Sequence, residues 1–196
     1  MPGLINNSDN LLSATRRSLM KLLAALPLGS LASSPAGAAL PTPSATEGPF
    51  YPPPSMRFAD ADNDLVKIEG AVKSAGGEVI FLKGRVLDQN GGPVTGARIE
   101  IWQCDVNGRY LHTGDGQDAP RDQGFQGFGY VVTGADGSYA FRTIKPVPYP
   151  GRTPHIHVKV FHGGNELTTQ FYIAGHPQNA GDFLFRRMSA DEQRAV

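Results

Sequence analysis

The segment Tyr149-Pro-Gly-Arg152-Thr-Pro-His155-Ile-His157-Val-Lys-Val sets two imidazoles two residues apart, with a phenol and a guanidinium just upstream. Residues i and i+2 of an extended strand share a face, so His155 and His157 point one way while Ile156, Val158 and Val160 point the other. Paired imidazoles on one face make a metal-binding pose. By itself the same spacing also describes a polar strand face over an apolar one. Phenolate oxygens beside imidazole nitrogens suit a hard, oxidised ion, and favour Fe(III) over softer or more weakly charged metals. The chain has six tyrosines. Tyr110, in Trp102-Gln-Cys-Asp105-Val-Asn-Gly108-Arg-Tyr110-Leu-His112, follows an expected strand and lies on a loop, from which a ligand can be aimed inward.

The elements that must carry these groups are short strands. Alternation predicts them at Val79–Asp88, Ala97–Cys104, Phe128–Thr133, Ser138–Ile144, His155–Phe161 and Leu167–Ile173. Strong turn signals separate them: Asn90-Gly91-Gly92-Pro93, Ala135-Asp136-Gly137 and His162-Gly163-Gly164-Asn165. This punctuation predicts an all-β fold, an antiparallel β-sandwich of transthyretin-like type. Residues 39–78, rich in Pro, Ser, Asp and Gly and without periodicity, read as an extended N-terminal arm with turns, leaving 79–196 for the sandwich. One helix is expected, at Met188–Val196, with Ser189 as its cap and Gln193 nearby.

Composition bounds the partners. A chain of 196 residues that is 40% hydrophobic buries one good core and leaves no room for a second large domain. Formal net charge is zero, which gives no reason to expect nucleic acid or an anionic membrane surface, so the ligand should be small. Cys104 is the only cysteine, so no intrachain disulfide can form, and its simplest role is a small apolar filler. His112, His162 and His176 are expected to face solvent, although His112 follows Tyr110 closely enough to line a site with it.

The amino terminus reads as an address. Thr15-Arg16-Arg17-Ser18-Leu19-Met20-Lys21, then an apolar run from Leu22 to Leu31 and Ala36-Gly37-Ala38, resembles a twin-arginine export signal occupying residues 1–38. The run is too short and too rich in Ala, Gly and Pro to span a bilayer. A periplasmic or secreted protein is expected, with cleavage after Ala38 and no membrane attachment after export.

From about Thr46 to about Pro177 the chain resembles the intradiol ring-cleavage dioxygenases, in particular the protocatechuate 3,4-dioxygenase-like branch. The resemblance rests on Thr46-Glu-Gly-Pro-Phe-Tyr51, Gly84-Arg-Val, Trp102-Gln, Gly108-Arg-Tyr110, Phe141-Arg-Thr-Ile-Lys-Pro146, Pro148-Tyr149-Pro150, Arg152, His155-Ile-His157 and Gln170-Phe-Tyr172, in that order. It implies a non-haem Fe(III) held by Tyr110, Tyr149, His155 and His157. A catechol-type substrate would be cleaved with O2 between its hydroxyl-bearing carbons, giving a cis,cis-muconate-type product. Arg152, Tyr149 and Gln170 are the implied catalytic residues, and Gly48, Pro49, Tyr51 and His112 the implied pocket. In this chain only Pro150-Gly151 separates the second tyrosine from the arginine, where well-known members carry a longer insert, so protocatechuate itself does not follow as substrate. The carboxyl end is also shorter than in relatives, which leaves two expectations: a truncated chain, or a homo-oligomer or other partner that completes a sheet edge.

A rival reading draws on the same strands. Gly84 to Asp88, Gly92 to Ala97 and Asp136 to Phe141 are also what a catalytically silent sandwich looks like, a binding module or the supporting subunit of an active partner. Retention of four candidate ligands argues against it, because a silent sandwich has no physical need for two phenols and two imidazoles around one point.

Overall fold

The computed structural model describes residues 40–116 and 118–196; the export-signal expectation on residues 1–38 lies outside them. Six strands form among the described residues: β1 (Val79–Arg85), β2 (Arg98–Trp102), β3 (Phe128–Val132), β4 (Ser138–Ile144), β5 (His155–His162) and β6 (Asn165–Tyr172). β1 pairs with β4, and the other four form an antiparallel sheet in the order β3-β2-β5-β6. The predicted β1 ran three residues further. It stops at Arg85 because residues 86–94 fold back on themselves, with Val94 N–H donating to the Val86 carbonyl and Asp88 N–H to that of Gly92. β5 and β6 are joined through Gly163 and Gly164, both at positive φ (56° and 80°), as a two-residue hairpin loop requires.

Both faces of the four-stranded sheet are covered. On one, Ile99, Ile101, Ile156 and Val158 pack against Phe141 and Ile144 of β4 and against Leu65, Val66 and Phe125. Leu65 and Val66 belong to the stretch read as an arm, so that stretch is part of the core. Leu65 N–H donates to the Arg142 carbonyl at 2.9 Å, and the Asp64 carboxylate pairs with the Arg142 guanidinium at 2.9 Å. The Asp64–Arg142 pair joins residues 78 apart in sequence, and the run is too short to show periodicity.

On the other face, register lines up one residue from each strand: Phe128 opposite Trp102, Trp102 opposite His157, and His157 opposite Gln170. Paired residues of antiparallel strands share a face, so this row forms the floor on which the site is built. Residues 43–45 run along β6, with Ala45 N–H donating to the Thr168 carbonyl and Thr169 Oγ1 to that of Pro43, both at 2.8 Å. That edge, which an outside partner could have used, is therefore engaged by the chain itself.

The helix α1 spans Ala190–Arg194 and starts on a full capping box: Ser189 Oγ accepts from Glu192 N–H, and the Glu192 side chain accepts from Ser189 N–H. Gln193, the neighbour expected there, instead bonds the carbonyls of Phe185 and Met188. No helix among the described residues is long and apolar enough to cross a membrane.

Candidate metal centre

Four side chains from three parts of the chain converge. Register on β5 sets His155 and His157 on the site face, 1% and 2% exposed, with their Nε2 atoms 3.1 Å apart. Tyr110 Oη is 3.4 Å from His155 Nε2. The Tyr149 ring stands edge-on to that of Tyr110, with centroids 5.5 Å apart, and lies 5.5 Å from that of His155.

Each donor is aimed by its surroundings. Tyr110 follows a turn in which Asp105 Oδ1 accepts from Asn107 and Arg109 N–H, and its own N–H donates to Asp115 Oδ2 at 2.5 Å. Tyr149 opens the turn Tyr149-Pro-Gly-Arg152, closed by Arg152 N–H donating to the Tyr149 carbonyl at 2.9 Å. Proline at the second position and Gly151 at φ +81° make it a type II turn, and it puts the phenol beside the guanidinium. His155 Nδ1 lies 2.7 Å from the Thr153 carbonyl. A carbonyl can only accept, so Nδ1 holds the proton and Nε2 offers its lone pair to the centre. The indole of Trp102 stacks on His157 at 4.7 Å and 13°, holding that ring flat against the floor.

The electrostatics favour a cation. Burial lowers His155 to about 4 and holds His157 well below its ordinary value, so both imidazoles are neutral donors near neutrality. Burial, and then the neighbouring phenol, push Tyr110 well above the usual range, and burial raises Tyr149 against the opposing charge of Arg152. One buried and one half-buried phenol, both raised above their ordinary range, together with two neutral imidazoles, are a donor set that fits a hard, oxidised ion. His157 Nδ1 is buried with no hydrogen-bond partner, while the Nε2 of that ring faces His155. Among the described residues no three His, Cys, Asp or Glu side chains cluster. The set reaches four because two of its members are tyrosines.

Around the donors, Arg152 Nη2 donates to Gln170 Oε1 at 2.7 Å and to Tyr172 Oη at 3.3 Å, and its Nε donates to Asp182 Oδ2 at 2.8 Å. Gln170 is fully buried and also donates to the Thr46 carbonyl at 2.9 Å, fastening the segment before Gly48. Burial opposes ionisation of Asp182, but N–H bonds from Phe185 and Thr153 and the Arg152 guanidinium outweigh it and hold the carboxyl below its ordinary range. A cleft of about 290 Å3 lined by Tyr149, Arg152, Thr153, Gln178 and Asp182 reaches this group. A larger cavity of about 470 Å3 lies between Tyr172, Phe185 and α1 and includes none of the four donors.

The remaining expected pocket residues fall in different places. Gly48 sits over the centre, where an added Cβ would lie 3.5 Å from His157 Cε1. Pro49 is exposed beside it, and Phe50 stacks on Tyr110 at 4.9 Å. The half-buried His112 ring lies 5.9 Å from that of Phe50, and its Nδ1 accepts from Gly114 N–H. Tyr51 turns aside: its ring meets the Trp102 edge at 4.8 Å and its hydroxyl donates to Glu100 Oε2 at 2.5 Å, so it braces the floor behind His157. Cys104 is buried and its thiol is pushed up to about 12, chiefly by burial, which leaves it an inert filler. Asp182, Thr153 and Asn179 were not singled out from sequence. A lone Asp between a glycine and a phenylalanine carries no local signal, and its partner is 30 residues away.

A family model described as Dioxygenase matches residues 46–193. The protocatechuate 3,4-dioxygenase beta chain of Burkholderia cepacia is 44% identical over 136 residues, covering 64% of this chain and 57% of its own. The catechol 1,2-dioxygenase of Candida albicans is 32% identical over 164 residues, covering 74% of this chain and 51% of its own. Among solved structures, the dioxygenase domain of a dioxygenase and carbohydrate-binding protein fusion from Streptomyces sp. SirexAA-E is similar with a TM-score of 0.58 and 38% identity, over 74% of this chain and 83% of that one. The chain spans about half the length of the curated relatives it matches.

Proposed function

Since the chain belongs to the intradiol dioxygenase family, we propose that it cleaves the ring of a catechol-type aromatic with O2 between the two hydroxyl-bearing carbons, at a non-haem Fe(III). The observation that carries this reading is the convergence of Tyr110, Tyr149, His155 and His157 on one point. Fe(III) held there would supply the Lewis acidity that draws electron density out of a chelated catechol and makes its ring carbons reactive toward O2.

The chain's own residues do the rest. His155 and His157 are neutral and locked in orientation, so they remain in place through the reaction. Tyr149 is the half-exposed phenol, on a turn that also lines the cleft. Its Oη, on the cleft side of the donor set, would be one of the oxygens that hold the metal and is the base placed to take up a catechol proton. Tyr110 is buried under Phe50. Arg152 stands beside Tyr149 with its charge directed into the cleft. It eases ionisation of the phenol and, later, of the substrate oxygens, an effect on the order of 100-fold in rate. Gln170 ties that guanidinium to the Thr46 carbonyl, while Gly48 lies against His157 and Phe50 stacks on Tyr110. Export by the twin-arginine route belongs to the same proposal, supported by Arg16-Arg17 and Ala36-Gly37-Ala38. Cell fractionation of the full chain tests it.

The experiment that tests the function is a visible spectrum of the iron-loaded protein before and after catechol is added without oxygen, followed by oxygen uptake. A broad tyrosinate-to-Fe(III) band that shifts to longer wavelength, then uptake with loss of catechol, is the expected result. A protein that stays colourless after ferric reconstitution overturns it in favour of a silent sandwich.

A further inference from the structure

We propose that Asp182 is the positioning residue that holds Arg152 in working orientation, an inference that rests on the functional reading above. Asp182 lies outside the donor set and comes from the segment after β6, so its presence at the site is a property of the tertiary fold.

Its carboxylate is fully committed. Oδ2 accepts from Arg152 Nε at 2.8 Å and Thr153 N–H at 3.0 Å, while Oδ1 accepts from Leu184 N–H at 2.9 Å and Phe185 N–H at 3.0 Å. The side chain is completely buried and that of Arg152 is 10% exposed. A carboxylate offers about four lone-pair directions, and here each meets a donor. Nε carries a single N–H, and Asp182 takes it. Gln170 and Tyr172 take the Nη2 edge, so the planar fork is gripped on two sides and its orientation toward Tyr149 is set. Without Asp182 one edge would be free, and the guanidinium could turn toward the exposed Phe183 ring, already 5.8 Å away.

The same carboxylate couples this grip to the histidines. It binds Thr153 N–H, Thr153 Oγ1 donates to Asn179 Oδ1 at 2.7 Å, and the Thr153 carbonyl takes the His155 Nδ1 proton. One buried anion therefore registers the segment after β6 against both the arginine and the start of β5. Asp182 borders the cleft beside Arg152, but all four hydrogen bonds of its carboxylate go to Arg152, Thr153, Leu184 and Phe185 and none to the four donors, so it acts through Arg152.

The test uses the full iron-loaded chain with catechol and three variants. D182N keeps the shape but sets an NH2 group against N–H donors; kcat per iron should fall on the order of 10- to 100-fold. KM should change less than about threefold, with iron content and the visible band as in wild type. In an R152M background the same change should cost less than about threefold more, because the residue it positions is gone. R152K retains the charge but has no Nε for Asp182 and no planar fork. It should lose as much kcat as D182N, and it decides the matter if D182N does not fold. Wild-type kcat in D182N or in R152K, or an equal loss from D182N in both backgrounds, overturns the proposal while leaving the functional reading intact. A wild type that binds catechol but takes up no oxygen overturns both.

Discussion

The Nε2 atoms of His155 and His157 face each other at 3.1 Å, and the Nδ1 proton of His155 is committed to the Thr153 carbonyl. His155 Nε2 is therefore a lone pair, and its neighbour can approach so closely only by donating a proton or by sharing a cation. Without metal, His157 donates from Nε2, which leaves its Nδ1 as the buried atom with no partner. A cation held between the rings would take both Nε2 lone pairs, with the His157 proton then on Nδ1.

Proton release should report the donor set. With both imidazoles neutral and both phenols protonated near neutrality, uptake of a trivalent ion should release about two protons per site, one from each tyrosine. Titration of the metal-free protein with Ga(III) at pH 7 in a weak buffer counts them. Y110F should reduce the count to about one.

Acid should destabilise the metal-free protein in a defined window. Burial lowers His155 to about 4 in the fold and holds His157 well below its ordinary value, so the unfolded chain binds more protons over that range. Stability is then fully present above about pH 6.5 and is lost as pH falls toward 4, by about 3 kcal/mol from His155 alone. Urea midpoints across pH 4–7 measure it. H155Q should flatten the curve.

Removing the half-buried phenol should separate colour from iron. Y149F should keep most of its iron on the three remaining donors, shift or weaken the visible band, and lower turnover by about 100-fold. Iron content, band position and turnover all unchanged would show that Tyr149 is not a ligand.

Trp102 carries the floor. It is fully buried, stacked on His157 and braced by Tyr51, so W102A should cost about 3–5 kcal/mol of stability by denaturant unfolding. It should also weaken iron retention more than an equally destabilising change in the opposite core, such as F141A.

The glycine over the centre is needed for its backbone and its size. Gly48 has φ +71°, and a Cβ there would sit 3.5 Å from His157 Cε1. G48A should cost about 1 kcal/mol through the left-handed backbone alone. G48V should, in addition, raise the catechol KM by crowding the cover of the site.

Much of this could be read along the chain. Strand alternation and turn chemistry are local, so the six strands, the Gly163-Gly164 hairpin and the shared face of His155 and His157 were legible, as was the capping serine of α1. The order of the matching motifs pointed to Tyr110, Tyr149 and Arg152 as companions of those histidines. Sequence alone could not say that Leu65 and Val66 enter the core, that Tyr51 turns away to Glu100, that Trp102 lies flat on His157, or that Asp182 closes on Arg152. These contacts join residues tens of positions apart, and neither propensity nor periodicity carries information over that distance. Strand pairing and burial made them, because a buried guanidinium, carboxylate or indole takes whichever partner the packed fold brings within reach.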